Sequence, residues 1–354
     1  MLKALSLFSG AGIGETYESE ADIKTVVANE LLPKRAEIYK YRFPYVNMII
    51  GDIKENKEKI ISSAIKEKVD LIIATPPCQG MSSVGKRNYE TDKRNFLVFD
   101  VLDIVDKVLP DFVFIENVPK FLQMKYCDSA GKFKSITEIL KEKYSNIYNI
   151  EYGVYDAADY GVPQHRKRAI IRMFKNNLKW DEPKKQKHIT VREAIGYLPS
   201  LESGEKSAIK YHNAPKCSQN HILWLRHTPT GKSAFENPIY YPQKENGQKI
   251  KAFANTYKRI EWDRPCPTRT MNFGISGSNN VHPGRLLPDG TYSDARPLTL
   301  LELLIVSSLP KDISFPENIS EKTIRDVIGE GIPPKMSLSF FKKIQKLDTL
   351  KREI

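Results

Sequence analysis

Strand-like and helix-like patterns alternate along the first 175 residues, and this alternation limits the folds open to the chain. Helical stretches such as 95–108 and 135–144 separate short apolar or β-branched runs. These runs are Ala4–Phe8, Thr25–Ala28, Val46–Ile50, Val69–Ala74, Phe112–Ile115, Ile150–Tyr155 and Ala169–Met173. Strands that alternate with helices form a parallel sheet covered on both faces. We therefore predict an α/β fold with a doubly wound, mostly parallel sheet.

The regular pattern ends at about residue 176, where a different kind of sequence begins. Residues 176–290 break into short pieces rich in proline and lysine, without a sustained period. Regularity returns at Thr299–Ser308, an apolar helix, and at Leu338–Leu350, which carries lysines on one face. We predict one α/β domain formed by residues 1–178 and 291–354, interrupted by a smaller irregular domain at residues 179–290.

The positive charge of the chain is concentrated in one segment. The 354 residues carry a formal net charge of +12, and residues 164–260 alone contain 20 Lys and Arg against 7 Asp and Glu. The same segment is rich in aromatic residues, including Trp180, Trp224, Tyr240, Tyr241 and Phe253. Basic residues interleaved with aromatics indicate a nucleic-acid surface, although a solvated lysine-rich face has a similar composition.

The cysteines and the apolar runs exclude several classes of protein. No Cys-x-x-Cys pair occurs among the four cysteines, which argues against a disulfide framework and a structural zinc. His212, Cys217 and His221 have a spacing that fits no standard metal site, so we predict no metal. The N-terminus does not resemble a signal peptide, and no apolar run reaches the roughly 18 residues of a membrane span. We expect a cytoplasmic protein.

A glycine-rich loop follows the first predicted strand and leads into a helix. Within Phe8-Ser9-Gly10-Ala11-Gly12-Ile13-Gly14, Gly10 and Gly12 allow the backbone to approach a ligand closely. Glu30 ends the second strand at a spacing that suits ribose hydroxyls, and Asp52 ends the third. Either acid alone is as often a surface residue or a helix cap, but the three features together predict an adenosine-bearing cofactor. At this point NAD and S-adenosylmethionine both remain open.

A cysteine stands where an enzyme of this class would place a nucleophile. Pro76-Pro77-Cys78-Gln79 follows the apolar run 69–74, so Cys78 lies on the loop at the carboxyl end of a buried strand. The next strand delivers Glu116-Asn117-Val118, which we expect beside Cys78. A carboxyl group near a thiolate nucleophile indicates acid–base work on a ring nitrogen. An isolated Pro-Pro-Cys would more often be a small buried cysteine in a proline turn.

A second polar cluster lies further along the chain. Gln164, Arg166 and Arg168 are two residues apart, so on an extended segment their side chains share one face. Two guanidinium groups there could lower the thiol pKa of Cys78 and hydrogen-bond a carbonyl oxygen. The alternative interpretation is a simple phosphate clamp.

The order of these motifs resembles that of the DNA (cytosine-5) methyltransferases, in particular the bacterial restriction-modification type. After Phe-x-Gly-x-Gly and the Glu of the second strand come Gly-Asp-Ile, Pro-Pro-Cys-Gln, Glu-Asn-Val and Gln-x-Arg-x-Arg. The resemblance continues through Arg264-Pro265-Cys266-Pro267-Thr268, His282-Pro283, Arg296-Pro297-Leu298-Thr299-Leu300-Leu301-Glu302 and Ile328-Gly329-Glu330-Gly331-Ile332-Pro333-Pro334. It spans nearly the whole chain. It implies the Rossmann-like fold of S-adenosylmethionine-dependent methyltransferases.

The resemblance also implies a chemistry for the motif residues. Cys78 would add to C6 of a cytosine flipped out of duplex DNA, and Glu116 would protonate or hydrogen-bond N3 and the exocyclic amine. Arg168 would hold the O2 carbonyl, while Arg166 and Gln164 would organise the pocket. Asn117 is expected in the same catalytic site. The methyl group would then pass from S-adenosylmethionine to C5, leaving S-adenosylhomocysteine, and loss of the C5 proton would release Cys78.

By the same resemblance, a set of residues should bind the cofactor, and residues 81–95 should form a mobile loop over the base. The cofactor set is Phe8, Gly10, Gly12, Glu30, Asp52, Ile53, Pro76, Leu97 and Gly331. Two positions depart from the usual family pattern. Leu31 stands where an aromatic residue often follows the ribose-binding Glu, and Glu330 stands where an asparagine is common. Neither change removes a group that the reaction needs.

The basic segment would be the target-recognition domain, which binds double-stranded DNA. Arg226, Lys232, Gln248, Asn255 and Arg259 are candidates for contacts with bases. Two alternatives stay open: a tRNA cytosine-5 methyltransferase, whose Cys-Phe-Thr stretch this chain lacks, and a non-catalytic DNA-binding relative. We expect a monomer without membrane association, and a cognate restriction endonuclease as a genetic rather than a physical partner.

Overall fold

The structure of the protein is a computed structural model. It describes residues 1–77, 93–127, 131–253, 255–269, 274, 277 and 280–345. The strands within these ranges are β1 (Leu2–Leu7), β2 (Ile23–Glu30), β3 (Asn47–Ile50), β4 (Leu71–Ala74), β5 (Phe112–Asn117), β6 (Lys125–Cys127), β7 (Phe133–Ser135), β8 (Tyr148–Asp156), β9 (Lys167–Lys175), β10 (Lys179–Trp180) and β11 (Ile344–Gln345).

The α-helices account for most of the remaining regular structure. They are α1 (Pro33–Arg42), α2 (Lys57–Glu67), α3 (Leu97–Val108), α4 (Ile136–Tyr144), α5 (Val191–Ile195), α6 (Gln219–Arg226), α7 (Leu300–Val306), α8 (Glu321–Glu330) and α9 (Pro334–Phe341). Several begin at side-chain caps. Ser135 and Thr299 each form a capping box with the glutamate three residues on, which explains why α4 and α7 begin where they do. Among the described residues, none of the helices has the length and apolar character that crossing a membrane requires.

Seven strands form the main sheet in the order β3-β2-β1-β4-β5-β9-β8. The first five run parallel to one another. β9 is antiparallel to both β5 and β8. The prediction of a mostly parallel sheet is therefore confirmed. β9 is reversed because β8 and β9 are connected by a short segment of ten residues, too short for the crossover that a parallel pair needs.

Helices cover both faces of the sheet, which confirms the doubly wound arrangement. On one face, alternate strand residues such as Leu5 and Val113 pack with α2, α3 and α4 in one apolar cluster. On the other face, the ring of Phe114 lies against Phe340 and Phe341 of α9. Burying both faces accounts for strands that are apolar at nearly every position.

The strand order creates a topological switch point between β1 and β4. From β1 the chain proceeds outward to β2 and β3, and from β4 it proceeds in the opposite direction to β5. Ligands in open α/β sheets bind at the carboxyl ends of strands beside such a point. The predicted motif residues of the first 117 positions follow or end these five strands.

The chain divides into two compact units. The sheet unit contains residues 1–156, 167–184 and 334–354, and the second unit contains residues 157–166 and 185–333. Residues 291–333 thus belong to the second unit by their contacts, although the sequence pattern grouped them with the sheet. The predicted target-recognition role of residues 179–290 concerns function and stays a prediction.

A buried ionic network helps to explain the extent of the second unit. Arg296 donates from Nη2 to Asp294 Oδ1 (2.7 Å) and from Nη1 to Glu302 Oε2 (2.9 Å). Glu302 also accepts from the backbone N–H of Thr299 at the start of α7, at 2.8 Å. The three charged residues are at most 1% exposed, so each charge depends on its partners for compensation. Asp294 in turn accepts from the Leu201 N–H at 3.0 Å, which joins this stretch to the earlier part of the unit.

The C-terminal helix differs from the sequence expectation. The lysine-bearing pattern predicted regular structure over Leu338–Leu350, but α9 begins at Pro334 and ends at Phe341. Proline is favourable in a first helical turn, which accounts for the earlier start. After Phe341 the chain turns, and Ile344 pairs with Trp180 in the small β10–β11 sheet. Residues 346–354 lie outside the described ranges.

Candidate active site

The strands that carry the predicted nucleophile and acid are neighbours. β4 and β5 pair in parallel, with Ala74 opposite Ile115, so their carboxyl ends adjoin. Asn117 donates from Nδ2 to the carbonyl of Pro76 at 3.0 Å, while its Oδ1 accepts from the Val118 N–H. The amide of Asn117 thereby holds the backbone two residues before Cys78. Cys78 itself lies outside the described residues, as does most of the predicted mobile loop.

Glu116 and Arg168 form an ion pair on adjacent strands. Nε of Arg168 lies 2.7 Å from Oε1 of Glu116, and the two side chains are only 13% and 10% exposed. Glu116 is on β5 and Arg168 is on β9, which pair in antiparallel register. A charge-assisted hydrogen bond of this length in a largely buried place orients both groups. The structure thus brings together the predicted acid and the predicted carbonyl-binding arginine.

Gln164 and Arg166 have a different set of partners from Arg168. Both are at most 2% exposed and bond to backbone groups of the second unit. Oε1 of Gln164 accepts from the Arg269 N–H at 3.1 Å, and Arg166 donates to the carbonyl of Arg269 at 2.8 Å. Arg166 also donates from Nη2 to the carbonyls of Gly329 and Glu330, each at 2.9 Å. Both side chains therefore hold backbone segments of the second unit in position.

Arg166 connects to the segment that holds another predicted cofactor residue. Gly331 ends α8, and its N–H donates to the Val327 carbonyl at 3.1 Å. The two carbonyls that precede it are the ones that Arg166 binds. The side chain of Glu330 takes no part in this bond. The replacement of the family's asparagine by Glu330 therefore leaves this backbone contact intact.

The glycine-rich loop after β1 has the geometry of a ligand-binding turn. Phe8, Gly10 and Gly12 all have positive φ (57°, 56° and 68°). The Gly10 N–H donates to Oε2 of Glu30 at 2.9 Å, so the loop and the end of β2 are directly bonded. Oε1 of Glu30 accepts from the Leu32 N–H at 2.9 Å. Each carboxylate oxygen keeps a further lone pair for a ligand hydroxyl.

The two glycines of this loop serve different purposes. A Cβ built on Gly12 would lie 2.5 Å from the ring of Phe43 and 3.0 Å from that of Tyr39, so Gly12 allows the loop to pack on α1. A Cβ on Gly10 would have no atom within 4 Å among the described residues. The space beside Gly10 fits the requirement that a cofactor approaches the backbone.

The remaining predicted cofactor residues lie after β1, after β3 and β4, and at the start of α3. Phe8 and Leu97 are partly buried against the same apolar cluster in which Ile53 is 3% exposed. Asp52 is half-buried and accepts from the Lys54 N–H through Oδ1 at 2.8 Å. Pro76 is buried at the end of β4. These positions are consistent with an adenosine site, and their cofactor contacts stay predictions.

One residue that the sequence interpretation missed controls the shape of the loop. Arg42, at the end of α1, donates from Nη1 to the carbonyls of Ala11 (2.7 Å) and Gly12 (2.8 Å), and from Nη2 to Oγ1 of Thr16 (2.8 Å). Burial lowers the pKa of Arg42 to about 10, and the nearby Glu15 opposes this shift. No motif contains Arg42, so only its tertiary contacts reveal it.

Two buried carboxyl groups lie close behind this loop. Glu15 is 5% exposed and Glu18 is 3% exposed. Burial raises the pKa of Glu15, and it raises that of Glu18 to about 7 although Thr25 donates hydrogen bonds to it. Glu18 Oε1 accepts from the Thr25 N–H at 3.0 Å. Of these two carboxyl groups, Glu18 therefore changes its charge state near neutral pH.

One of the proposed base-contact residues is excluded by its position. Arg259 is 0% exposed, and within the part of the chain that the structure describes its guanidinium donates to backbone carbonyls alone, among them those of Leu225 (3.0 Å) and His282 (2.8 Å). Its prediction as a base reader is therefore wrong. A Cβ on Gly284 would lie 2.4 Å from Nη1 of Arg259, which shows how tightly the guanidinium is enclosed.

Comparison with known proteins identifies the family. The C-5 cytosine-specific DNA methylase family matches residues 2–346. Type II methyltransferase M1.HgaI of Avibacterium volantium is 47% identical over 341 residues, which cover 94% of this chain and 95% of that protein. Type II methyltransferase M1.HphI of Haemophilus parahaemolyticus is 27% identical, over 98% of this chain and 88% of that protein.

Solved structures share the fold at low sequence identity. A candidate DNA modification methyltransferase encoded within an E. coli prophage superposes with a TM-score of 0.73 at 19% identity, covering 99% of this chain and 100% of that one. Spodoptera frugiperda DNMT2 superposes with a TM-score of 0.62, also at 19% identity, covering 96% of this chain and 99% of that one. At these identities the likeness concerns the fold alone. The family match and the motif order together show that the chain belongs to the C-5 cytosine-specific DNA methylases and is a DNA (cytosine-5)-methyltransferase.

Proposed function

We propose that this enzyme methylates C5 of one cytosine in a specific duplex DNA sequence and serves as the modification enzyme of a restriction-modification system. The observation that carries the catalytic part is the buried Glu116–Arg168 pair at 2.7 Å, at the end of the strand beside the one that leads to Pro-Pro-Cys. The restriction-modification role is supported by M1.HgaI, the relative at 47% identity.

The proposed reaction begins with covalent activation of the base. The thiolate of Cys78 adds to C6 of the flipped cytosine, and a proton from Glu116 reaches N3, so that no negative charge accumulates on the ring. Arg168 hydrogen-bonds the O2 carbonyl, where electron density rises during the addition. After methylation, loss of the proton at C5 restores the double bond and expels Cys78. Atoms balance, since one proton leaves for each methyl group gained.

The residues at the ends of β1, β2 and β3 form the proposed cofactor site. S-adenosylmethionine, when bound, supplies the methyl group that cytosine receives. Glu30 would accept from the ribose hydroxyls, Asp52 would accept from the adenine amino group, and the half-buried rings and chains of Phe8 and Leu97 would enclose the adenine. The open space beside Gly10 supports this assignment. Arg166 would hold the backbone before Gly331 in place.

A trapping assay tests the proposal. Duplex DNA carrying 5-fluorocytosine cannot lose the group at C5, so the enzyme with S-adenosylmethionine should give a complex that survives denaturing electrophoresis. Cys78→Ala should abolish the complex, whereas Cys127→Ala, at an exposed cysteine, should leave it unchanged. Absence of a complex with wild-type enzyme across a pool of random duplexes would contradict the proposal. A matched RNA pool distinguishes the tRNA alternative, which predicts trapping on RNA alone.

Several further assignments belong to the same proposal. Residues 179–290 would act as the target-recognition domain, supported by the excess of Lys and Arg in residues 164–260. The enzyme would act as a cytoplasmic monomer. The endonuclease that reads the same DNA sequence would be its genetic partner. Bisulfite sequencing of a host that expresses the chain would establish both activity and recognised sequence.

A further inference from the structure

The second unit carries a small protruding hairpin at residues 242–250. Gln243 and Lys249 form an antiparallel bridge, and the Ile250 N–H donates to the Pro242 carbonyl at 3.0 Å. The turn is closed by the Lys244 N–H, which donates to the Gln248 carbonyl at 2.9 Å. Gly247 at the turn has φ +76°, and a Cβ there would meet no described atom within 4 Å. The hairpin tip therefore faces open space.

The base of the hairpin is firmly attached to the unit. Ile250 packs against the apolar cluster that contains Trp224 and Tyr257. The ring of Tyr240 stacks on His227 with centroids 3.7 Å apart and planes inclined by 12°. The amide nitrogen of Asn237 donates to the His227 carbonyl at 2.9 Å. A protrusion with an anchored base loses little entropy when it binds a partner.

The exposed surface of the hairpin has the chemistry of a DNA reader. Lys244 and Gln248 face each other across the hairpin, with Nζ 3.2 Å from Oε1, and both are exposed. The adjoining Lys251 is exposed, and Ile239 and Phe253 are 70% and 75% exposed. Lysine and glutamine side chains recognise guanine and adenine edges in the major groove, which is wide enough for a two-stranded ribbon. Apolar side chains beside them suit the methyl group of thymine.

We propose that this hairpin is the sequence-reading element of the second unit, with Lys244 and Gln248 contacting base edges in the major groove and Lys251 contacting a phosphate. This inference rests on the proposed function, since it concerns how the enzyme chooses its target. Residues 242–253 contain three lysines and one acidic residue, Glu245, so their net positive charge complements the negative charge of DNA. Because Arg259 is enclosed by carbonyls, it cannot take this role.

The test compares affinities for two duplexes, one with the recognised sequence and one with that sequence scrambled, in the presence of S-adenosylhomocysteine. Lys244→Ala combined with Gln248→Ala should reduce the ratio of the two affinities at least about tenfold, with scrambled-duplex affinity changed far less. Lys251→Ala should weaken both duplexes alike. The matched control combines Lys311→Ala with Asn318→Ala, two exposed residues of the same unit that lie outside the basic segment 164–260, and should change neither affinity.

The outcomes separate the inference from the proposed function. If the wild-type enzyme traps 5-fluorocytosine DNA and the double variant keeps the wild-type ratio, the hairpin does not read sequence. The exposed apolar side chains of Ile239 and Phe253 would in that case be assigned to binding a protein partner. If the wild-type enzyme traps no DNA, the proposed function fails first. As a second variant, Gln248→Glu should shift the preferred base at one position of the methylated sequence, since a carboxylate accepts from the cytosine amino group.

Discussion

At the scale of single residues, the pair proposed to act on the base differs in its contacts from the residues that hold backbone in position. Glu116 and Arg168 contact each other at 2.7 Å at the edge where β4 and β5 end. Asn117 instead holds the Pro76 carbonyl, and Arg42 holds the glycine-rich loop. Substitutions at these positions should therefore affect turnover and cofactor affinity in different proportions.

Replacement of Glu116 by Gln should reduce turnover at least about a hundredfold, because an amide cannot deliver a proton to N3. Affinity for S-adenosylhomocysteine should stay within about twofold, since the proposed cofactor residues lie on other strands. Tritium transfer to DNA measures the first quantity and calorimetry the second. Glu142→Gln, at an exposed glutamate that pairs with Lys134, serves as the control. Turnover near the wild-type value would show that the role assigned to Glu116 is wrong.

Replacement of Arg42 by Met should weaken S-adenosylhomocysteine binding about tenfold, equivalent to about 1.4 kcal/mol, because the loop loses three hydrogen bonds that shape it. Turnover at saturating cofactor should change less than affinity. Arg42→Lys should recover part of the loss, since an ammonium can reach one carbonyl. Lys40→Met, at an exposed position of the same helix, is the control. Equal affinity in Arg42→Met and wild type would refute a positioning role.

At the scale of elements, buried charges determine how segments dock. The capping box of α7 uses Glu302, which also binds Arg296, so one carboxylate both starts a helix and closes the ionic network. His282 lies beside this network, 3.7 Å from both Glu302 and Asp294. Burial lowers the pKa of His282 to about 4, although both carboxylates oppose the shift and Arg296 and Arg259 add to it.

This shift predicts a pH-dependent contribution to stability. In the unfolded chain His282 titrates near 6.5, so the unfolded state binds a proton first as the pH falls. Stability from His282 is therefore complete above about pH 6.5 and is lost as the pH falls toward 4. Asp294 and Glu302 have lowered pKa values, and their contributions are lost only at more acidic pH. Glu18, whose pKa is raised from 4.5 to about 7, has the opposite effect: its contribution to stability increases as the pH falls through this range.

Because Glu18 changes stability in the opposite sense, the effect of His282 has to be measured as the difference in stability between wild type and a variant that retains Glu18. His282→Gln removes the titrating group, and urea unfolding at pH 7.5 and pH 5 gives the free energy of unfolding of each protein. The advantage of wild type over the variant should shrink by about 2 kcal/mol between the two pH values. A constant difference would show that His282 does not titrate as its burial predicts.

At the scale of the whole molecule, charge is divided unequally along the chain. Residues 164–260 contain 20 basic and 7 acidic residues, whereas the whole chain has a formal net charge of +12. The rest of the chain is therefore close to neutral. Affinity for a non-cognate duplex should therefore fall at least about tenfold between 50 and 200 mM salt, as expected when two or more phosphates are neutralised. Fluorescence anisotropy measures this change, and affinity for S-adenosylhomocysteine at the same salt concentrations is the control. A salt-independent affinity for DNA would argue against phosphate contacts by this segment.

Much of the fold was predictable because its strands and helices follow from local sequence patterns. Apolar runs of strand length alternate with amphipathic stretches, and α3, α4 and α7 lie within about two residues of their predicted bounds. The glycine-rich loop, the acids at strand ends and Pro-Pro-Cys-Gln are contiguous motifs, so their order indicated the family. Local period reports which face of a segment is buried, and this needs no knowledge of distant partners.

The sequence by itself thus determined the doubly wound sheet and the family, and it supplied the predictions for the reacting groups. Only the tertiary structure decided that β9 runs antiparallel beside β5, which brings Arg168 to Glu116. It also decided that Arg42 clamps the glycine-rich loop and that Arg259 is enclosed by carbonyls. Pairings of this kind join residues that are far apart in the chain, and their register depends on packing that no local period encodes.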